Sequence, residues 1–118
     1  MVEISDALPG SDLIREGLRD LEAGVESVPA LLVLIGAPRL RRLGFDVADT
    51  PYFPEDRLYE KLASSHGDGA HSQYNALIRL LVSFERAARL AAMAVALAAT
   101  VLGCFARVAA AFSFLSLV

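Results

Sequence analysis

Charge is nearly missing from the end of this chain. The 29 residues from Leu90 to Val118 hold one charged side chain, Arg107, and every other Lys, Arg, Asp and Glu precedes them. A helix with no polar face cannot rest stably against water, so this stretch must enter a membrane, a partner or its own core. Cysteine is scarce as well: the single Cys104 excludes an internal disulfide and fits a reducing, cytoplasmic compartment. The chain opens acidic, without the basic stretch and apolar run of a secretory signal, so none is expected. No dense basic stripe exists to make nucleic acid the default partner. Ser64, Ser65 and Cys104 have no base at a meaningful spacing, so the chain reads as non-catalytic, with no cofactor.

What is present is apolar and helical. At 118 residues the chain can bury a modest core, and its 55% hydrophobic content is concentrated toward the end. Charge is distributed unevenly. Glu3, Asp6, Asp12, Glu16, Asp20, Glu22 and Glu26 face only Arg15 and Arg19 in residues 1–26, seven acids against two bases. Arg39, Arg41 and Arg42 form a basic knot, and Arg79, Arg86, Arg89 and Arg107 outnumber Glu85 further on. An acidic front and a basic back can pair within the molecule or orient it toward an anionic surface.

From Asp12 to Glu26 the residues Leu13, Ile14, Leu18, Leu21 and Val25 share one helical arc, opposite the charged positions. Ser11 or Asp12 is expected to cap this helix after the turn Pro9-Gly10, and Gly24 to weaken its last turn. Ser27 is expected to cap a second helix, Val28–Ile35, because Pro29 is tolerated in a first turn. That run has no polar position and belongs at the buried centre of the fold, as a helix or as a buried strand. Gly36-Ala37-Pro38 breaks it, and a short helix over 39–43 stops at Gly44. Residues 44–53 read as a loop, and the two aromatics and two prolines of Asp49–Pro54 are expected to pin it to the core. Pro54 opens a helix with Glu55 and Asp56 in its first turn, Lys61 in its last, and Leu58, Tyr59 and Leu62 inward. Ser64–Gly69 reads as a second loop.

The cleanest amphipathic signal begins at about Ala70. Tyr74, Leu77, Leu80, Leu81, Phe84, Ala88 and Ala91 share one face; Asn75, Arg79, Ser83, Arg86 and Arg89 share the other. Past Arg89 the helix becomes apolar all round. The expected fold is therefore all-α: a small bundle of four to five helices with a long, apolar C-terminal helix. Residues 1–89 form the helical domain and 90–118 the apolar helix.

Three groups of polar residues invite a site. Arg39, Arg41 and Arg42 could grip a phosphate or a carboxylate-rich surface, or lie on a solvated face paired with the acidic first helix. Asn75, Arg79, Ser83 and Arg86 form a stripe that either faces water or docks an acidic partner. His66, Asp68 and His71 lie across a glycine loop, but no Cys or Glu completes a metal set, so a surface loop is the simpler reading and no metal is assigned. His71 sits where it can tune the start of the long helix.

The uncharged run Leu90–Ala106 has 17 residues, the lower edge of a membrane span. Its three Leu, two Val and one Phe contribute about −2 to −4 kcal/mol toward insertion. The three readings of the tail are a single-span anchor, a buried bundle helix, or a tail read out of its native frame. Arg79, Arg86 and Arg89 on the near flank would keep the domain cytoplasmic. The functional reading is a non-catalytic protein-interaction module, tethered to a membrane through residues 90–118, with a protein partner and scope for a homo-oligomer. Two alternatives stand beside it: an antitoxin-like or operon accessory regulator of bacterial type that neutralises a partner protein, and a small phosphate- or nucleotide-binding domain using Arg39, Arg41, Arg42 and His71.

Overall fold

Ser27 sets the start of the most apolar helix, and much of the fold follows from it. In the computed structural model, which describes residues 4–48 and 53–115 and the side chains of these up to Val108, the Ser27 hydroxyl oxygen accepts from the Ala30 N–H at 3.2 Å. It also donates to Asp20 Oδ2 at 2.5 Å. Pro29 sits in the first turn, where a missing N–H removes no helical bond.

The elements in chain order are α1 (Ser11–Glu22), α2 (Val28–Ile35), α3 (Ala37–Arg42), α4 (Pro54–His66), a 3-10 turn (Gly67–Gly69) and α5 (Ala70–Leu115). The fold is all-α, and among the described residues there is no strand. The strand reading of Val28–Ile35 is thus excluded: eight residues close onto helical hydrogen bonds, and Ala30, Leu31, Leu32, Val33 and Leu34 are all buried. Each large apolar side chain buried in this way contributes about 1.5–3 kcal/mol of transfer free energy.

By contact the chain divides into two units, Met1–Ala88 and Arg89–Val118. The first contains the core. Ile14 from α1, the α2 residues, Leu40 from α3, Leu58 and Leu62 from α4, and Leu81 and Phe84 from α5 meet there. Phe45 and Val47, in the segment after α3, are buried with them, and the Phe45 ring lies 5.9 Å from that of Phe84. That segment is irregular in backbone yet part of the core. The backbone carbonyl of Val47 accepts from Arg41 Nε at 2.7 Å, which holds it down.

Several boundaries differ from the spacing-based expectation. α1 ends at Glu22, not Glu26, because Gly24 takes a left-handed conformation (φ 72°) and turns the chain there. The Val25 N–H then bonds back to the Asp20 carbonyl at 2.8 Å, and the Val25 side chain is left 50% exposed instead of inward. Neither Ser11 nor Asp12 caps α1; Gly10 does so with φ 74° and no side-chain bond. Ser11 is instead buried, its hydroxyl donating to the Asp6 carbonyl at 3.5 Å.

α3 begins two residues earlier than expected because a lone Gly36 suffices as the junction and Pro38 fits its first turn. α4 runs past Lys61 through Ser64 and Ser65 to His66, where Gly67 stops it with φ 55°. Ser64 and Ser65 are helical, and their hydroxyls donate to the carbonyls of Glu60 and Lys61, both at 3.0 Å. Tyr59 is not inward: it is 42% exposed and packs edge-on against Tyr74 at 5.9 Å. Phe53, expected to help pin its loop, is 76% exposed, and Asp49 to Tyr52 lie outside the described residues.

One close approach was not signalled by apolar spacing. Gly17 is buried in α1 at the face that meets α2, and a Cβ built there would stand 2.3 Å from the Pro29 carbonyl oxygen and 2.6 Å from Val33 Cγ2. Only a residue without Cβ lets the two helices come this near.

Candidate functional site

The first candidate is the arginine knot. Arg39 Nε donates to Glu85 Oε2 at 2.7 Å, so its carboxylate partner stands on α5 and not on the acidic α1. This corrects the expected pairing of the knot with the first helix. The acids of α1 and its neighbours find other partners: Arg15 bonds Asp6 Oδ1 at 2.6 Å, Asp12 Oδ1 at 3.3 Å and the Ile4 carbonyl at 2.9 Å. Arg57 of α4 forms a two-pronged pair with Glu26, through Nε to Oε1 at 3.1 Å and Nη2 to Oε2. Asp6, Asp12 and Glu26 thus pair with Arg15 of α1 and Arg57 of α4.

With Arg41 donating to Val47, two of the three arginines in the knot hold this chain's own fold. Arg42 is exposed. The three guanidiniums therefore do not converge on one point. Glu85 is the unusual member of the group. Its side chain is 11% exposed and its Oε1 is buried without a hydrogen-bond partner among the described residues. That oxygen lies against Gly36, where a Cβ would come within 2.9 Å of it.

The second candidate is the polar stripe on α5. Its spacing puts Arg79, Ser83 and Arg86 on the exposed side, opposite the buried Leu81, Phe84 and Ala88. Asn75 is half-buried, and its amide Nδ2 lies 3.1 Å from His71 Nε2, one turn earlier. Asn75 and His71 thus brace the first turns of α5, while Arg79 and Arg86 point outward with no ion pair among the described residues.

Among the described residues no group of three His, Cys, Asp or Glu side chains is placed to hold a metal ion. Spacing alone did not bring a base near Ser65, yet His66 Nδ1 lies 3.1 Å from its hydroxyl. Both are exposed neighbours on one helix, and the same hydroxyl bonds the Lys61 carbonyl. Adjacent positions at a helix end bring such groups together without building a pocket around them. Burial raises the Tyr74 phenol above the ordinary value of 10.0, and the nearby carboxylates Glu55 and Asp56 push the same way.

The third candidate is the second unit. Every residue from Arg89 to Val108 is exposed, including Leu90, Met93, Val95, Leu97, Val101, Leu102 and Phe105, the last at 70%. An isolated exposed leucine carries no message, but a continuous apolar surface of this kind marks a membrane or interaction site. Two polar side chains fall within Leu90–Ala106, Thr100 and Cys104. The Thr100 hydroxyl donates to the Ala96 carbonyl at 2.9 Å, so its proton is already bound inside the helix. The helix is long and apolar enough, by length and composition, to cross a membrane.

No protein-family model, no curated protein and no solved structure matches this chain.

Proposed function

We propose that this chain is a non-catalytic helical interaction module held on a membrane by its apolar helix. The first unit, on the cytoplasmic side, offers the Arg79–Ser83–Arg86 stripe to an acidic protein partner. The observation that carries the reading is the fully exposed, uncharged run from Leu90 to Ala106. In water such a surface has no counterpart, whereas hydrocarbon accepts it on every side and asks only that backbone polar groups be paired. A helix pairs them all internally.

The energetic margin favours insertion. Leu90, Val95, Leu97, Val101, Leu102 and Phe105 together contribute about −2 to −4 kcal/mol. Arg107 would cost about 2.5–3.5 kcal/mol at the bilayer centre and far less at an interface. Three arginines on the near flank against one on the far flank favour the first unit remaining inside.

Fractionation tests the anchor. The full chain is expected in the membrane pellet and to resist alkaline carbonate, whereas a chain ending at Arg89 is expected in the supernatant. Recovery of both in the soluble fraction overturns the reading. For the partner face, Arg79→Glu with Arg86→Glu is expected to abolish crosslinking to an acidic partner at the membrane while leaving fractionation unchanged.

A further inference from the structure

Arg89 and Arg107 belong to the same unit and to one continuous helix. They are 18 residues apart, which at 1.5 Å per residue separates their Cα atoms by about 27 Å along the axis. The hydrocarbon core of a bilayer is roughly 27–30 Å thick. Long arginine side chains make up a shortfall of that size by reaching outward along the membrane normal. Between the two arginines no side chain carries charge, and the Thr100 hydroxyl is bound to the Ala96 carbonyl.

We propose that the two arginines set a single register for the span. Leu90–Ala106 lies in the hydrocarbon, with the Arg89 guanidinium in the near headgroup layer and that of Arg107 in the far one, each bound to lipid phosphate. The inference rests on the membrane-anchor reading and deepens it by naming the ligand of each guanidinium. A planar guanidinium with several N–H donors matches a phosphodiester group better than it matches water or carbonyl.

The competing register slides the helix by about two turns, so that residues 98–115 occupy the core. It trades Leu90, Val95 and Leu97 for Val108, Phe112, Phe114 and Leu115, similar apolar content, but puts Arg107 near the middle. The cost of one central arginine then cancels the gain from the apolar residues. In the favoured register α5 continues past Arg107 through the far interface, a layer that accepts phenylalanine and leucine.

Cys104 reports on the register without mutagenesis, since it is exposed and is the chain's one cysteine. It precedes Arg107 by three residues, which sets it about 4.5 Å inside the far boundary along the axis. The full chain, labelled there with a small thiol-reactive fluorophore, is reconstituted into vesicles of phosphatidylcholine and phosphatidylglycerol. Nitroxide lipids carrying the quencher at a shallow or a deep chain position then read its depth.

The expected ratio of shallow to deep quenching is above one, and in Arg107→Leu it falls below one as the span slides outward. A ratio below one in the unmodified sequence overturns the register while leaving the anchor intact. An unchanged ratio in Arg107→Leu overturns Arg107 as the boundary. Quenching by aqueous iodide with none from either lipid overturns the anchor and the register together.

Discussion

Replacing Gly17 by alanine tests the closest helix contact in the first unit. The new methyl group would lie 2.3 Å from the Pro29 carbonyl oxygen, 2.8 Å from its carbonyl carbon and 2.6 Å from Val33 Cγ2. A relaxed carbon–oxygen contact begins at about 3.3 Å, so α1 and α2 must separate by about 1 Å. Two of the three obstacles are backbone, which has no rotamer to change. A gap of that size forfeits a quarter to a half of the dispersion well for atoms along the interface, and overpacking of this kind costs about 1–3 kcal/mol.

Alanine gives back about 0.5–1 kcal/mol through its helix propensity. The net loss is therefore about 2 kcal/mol, since the rigid obstacle places the clash at the upper end of that range. For a unit spanning Met1–Ala88 it lowers the melting temperature by roughly 8–16 °C. Near-ultraviolet circular dichroism of the full chain in mild detergent reads it cleanly, because the Tyr59–Tyr74 and Phe45–Phe84 ring pairs both lie in this unit.

Gly24→Ala is the contrasting substitution. It carries the cost of a left-handed backbone, about 1–2 kcal/mol, which the helical Gly17 does not, and meets no atom within 4 Å, so it reads a backbone cost with no clash. Val33→Ala combined with Gly17→Ala should not restore stability, because the Pro29 carbonyl remains in place. A Gly17→Ala protein that melts at or above the parent refutes the steric account. So does full rescue by Val33→Ala, which would assign the clash to the movable side chain.

Three further outcomes follow from other contacts. Ser27→Ala removes the α2 cap and the partner of Asp20, and should lower the urea unfolding free energy by about 1 kcal/mol, with no change in helix content after refolding. Arg39→Met strips the partner from the mostly buried Glu85 and should cost about 1–2 kcal/mol; adding Glu85→Gln should recover most of that, so a cycle showing simple additivity counts against coupling. For Tyr74 the folded phenol holds its proton more tightly than the unfolded one. Its contribution is therefore fully present below pH about 10 and is lost as pH rises through the raised folded value. Tyr74→Phe should flatten the alkaline fall in stability, and tyrosinate absorbance should show one phenol titrating late in the parent and absent from the variant.

Legibility of the fold varied with the kind of signal. Spacing set Tyr74, Leu81, Phe84 and Ala88 against Arg79, Ser83 and Arg86, as their burial and exposure have it, but it also put Val25, Tyr59 and Ala91 inward, where all three are exposed, and Asn75 outward, where it is half-buried. Ser27 was readable because a cap is a local hydrogen bond. Glycine was the harder residue. Gly24 looked like a weak last turn but is a left-handed stop, and Gly17 has no side chain to register on an apolar arc although its lack of one sets the α1–α2 distance. Partner choice was harder still. Nothing in the order of charges distinguishes Glu85 from the acids of α1 as the partner of Arg39, because a pair 46 residues apart depends on how α3 meets α5. Phe45 and Val47 entered the core from a stretch whose glycine and proline punctuation reads as loop, where no periodicity signals burial.

The candidate sites divide along the same line. Arg39 and Arg41 resembled ligand-binding residues because guanidinium chemistry serves anion capture and loop fastening equally well, and sequence cannot count the carbonyls and carboxylates that will surround them. Arg79 and Arg86 carry the same group on a helix face whose opposite side is committed to the core, so geometry leaves their outward side free for a partner. The apolar helix is the opposite case. Its composition has no polar face at any angle, so Leu90 through Val108, exposed in the chain by itself, present an apolar surface that no local turn or cap could hide. In the membrane reading proposed above, what covers that surface is apolar on all sides and about as thick as the arginine-free interval is long. A single protein groove covers one side of a helix; a bilayer covers every side, and it is matched in thickness by the distance from Arg89 to Arg107.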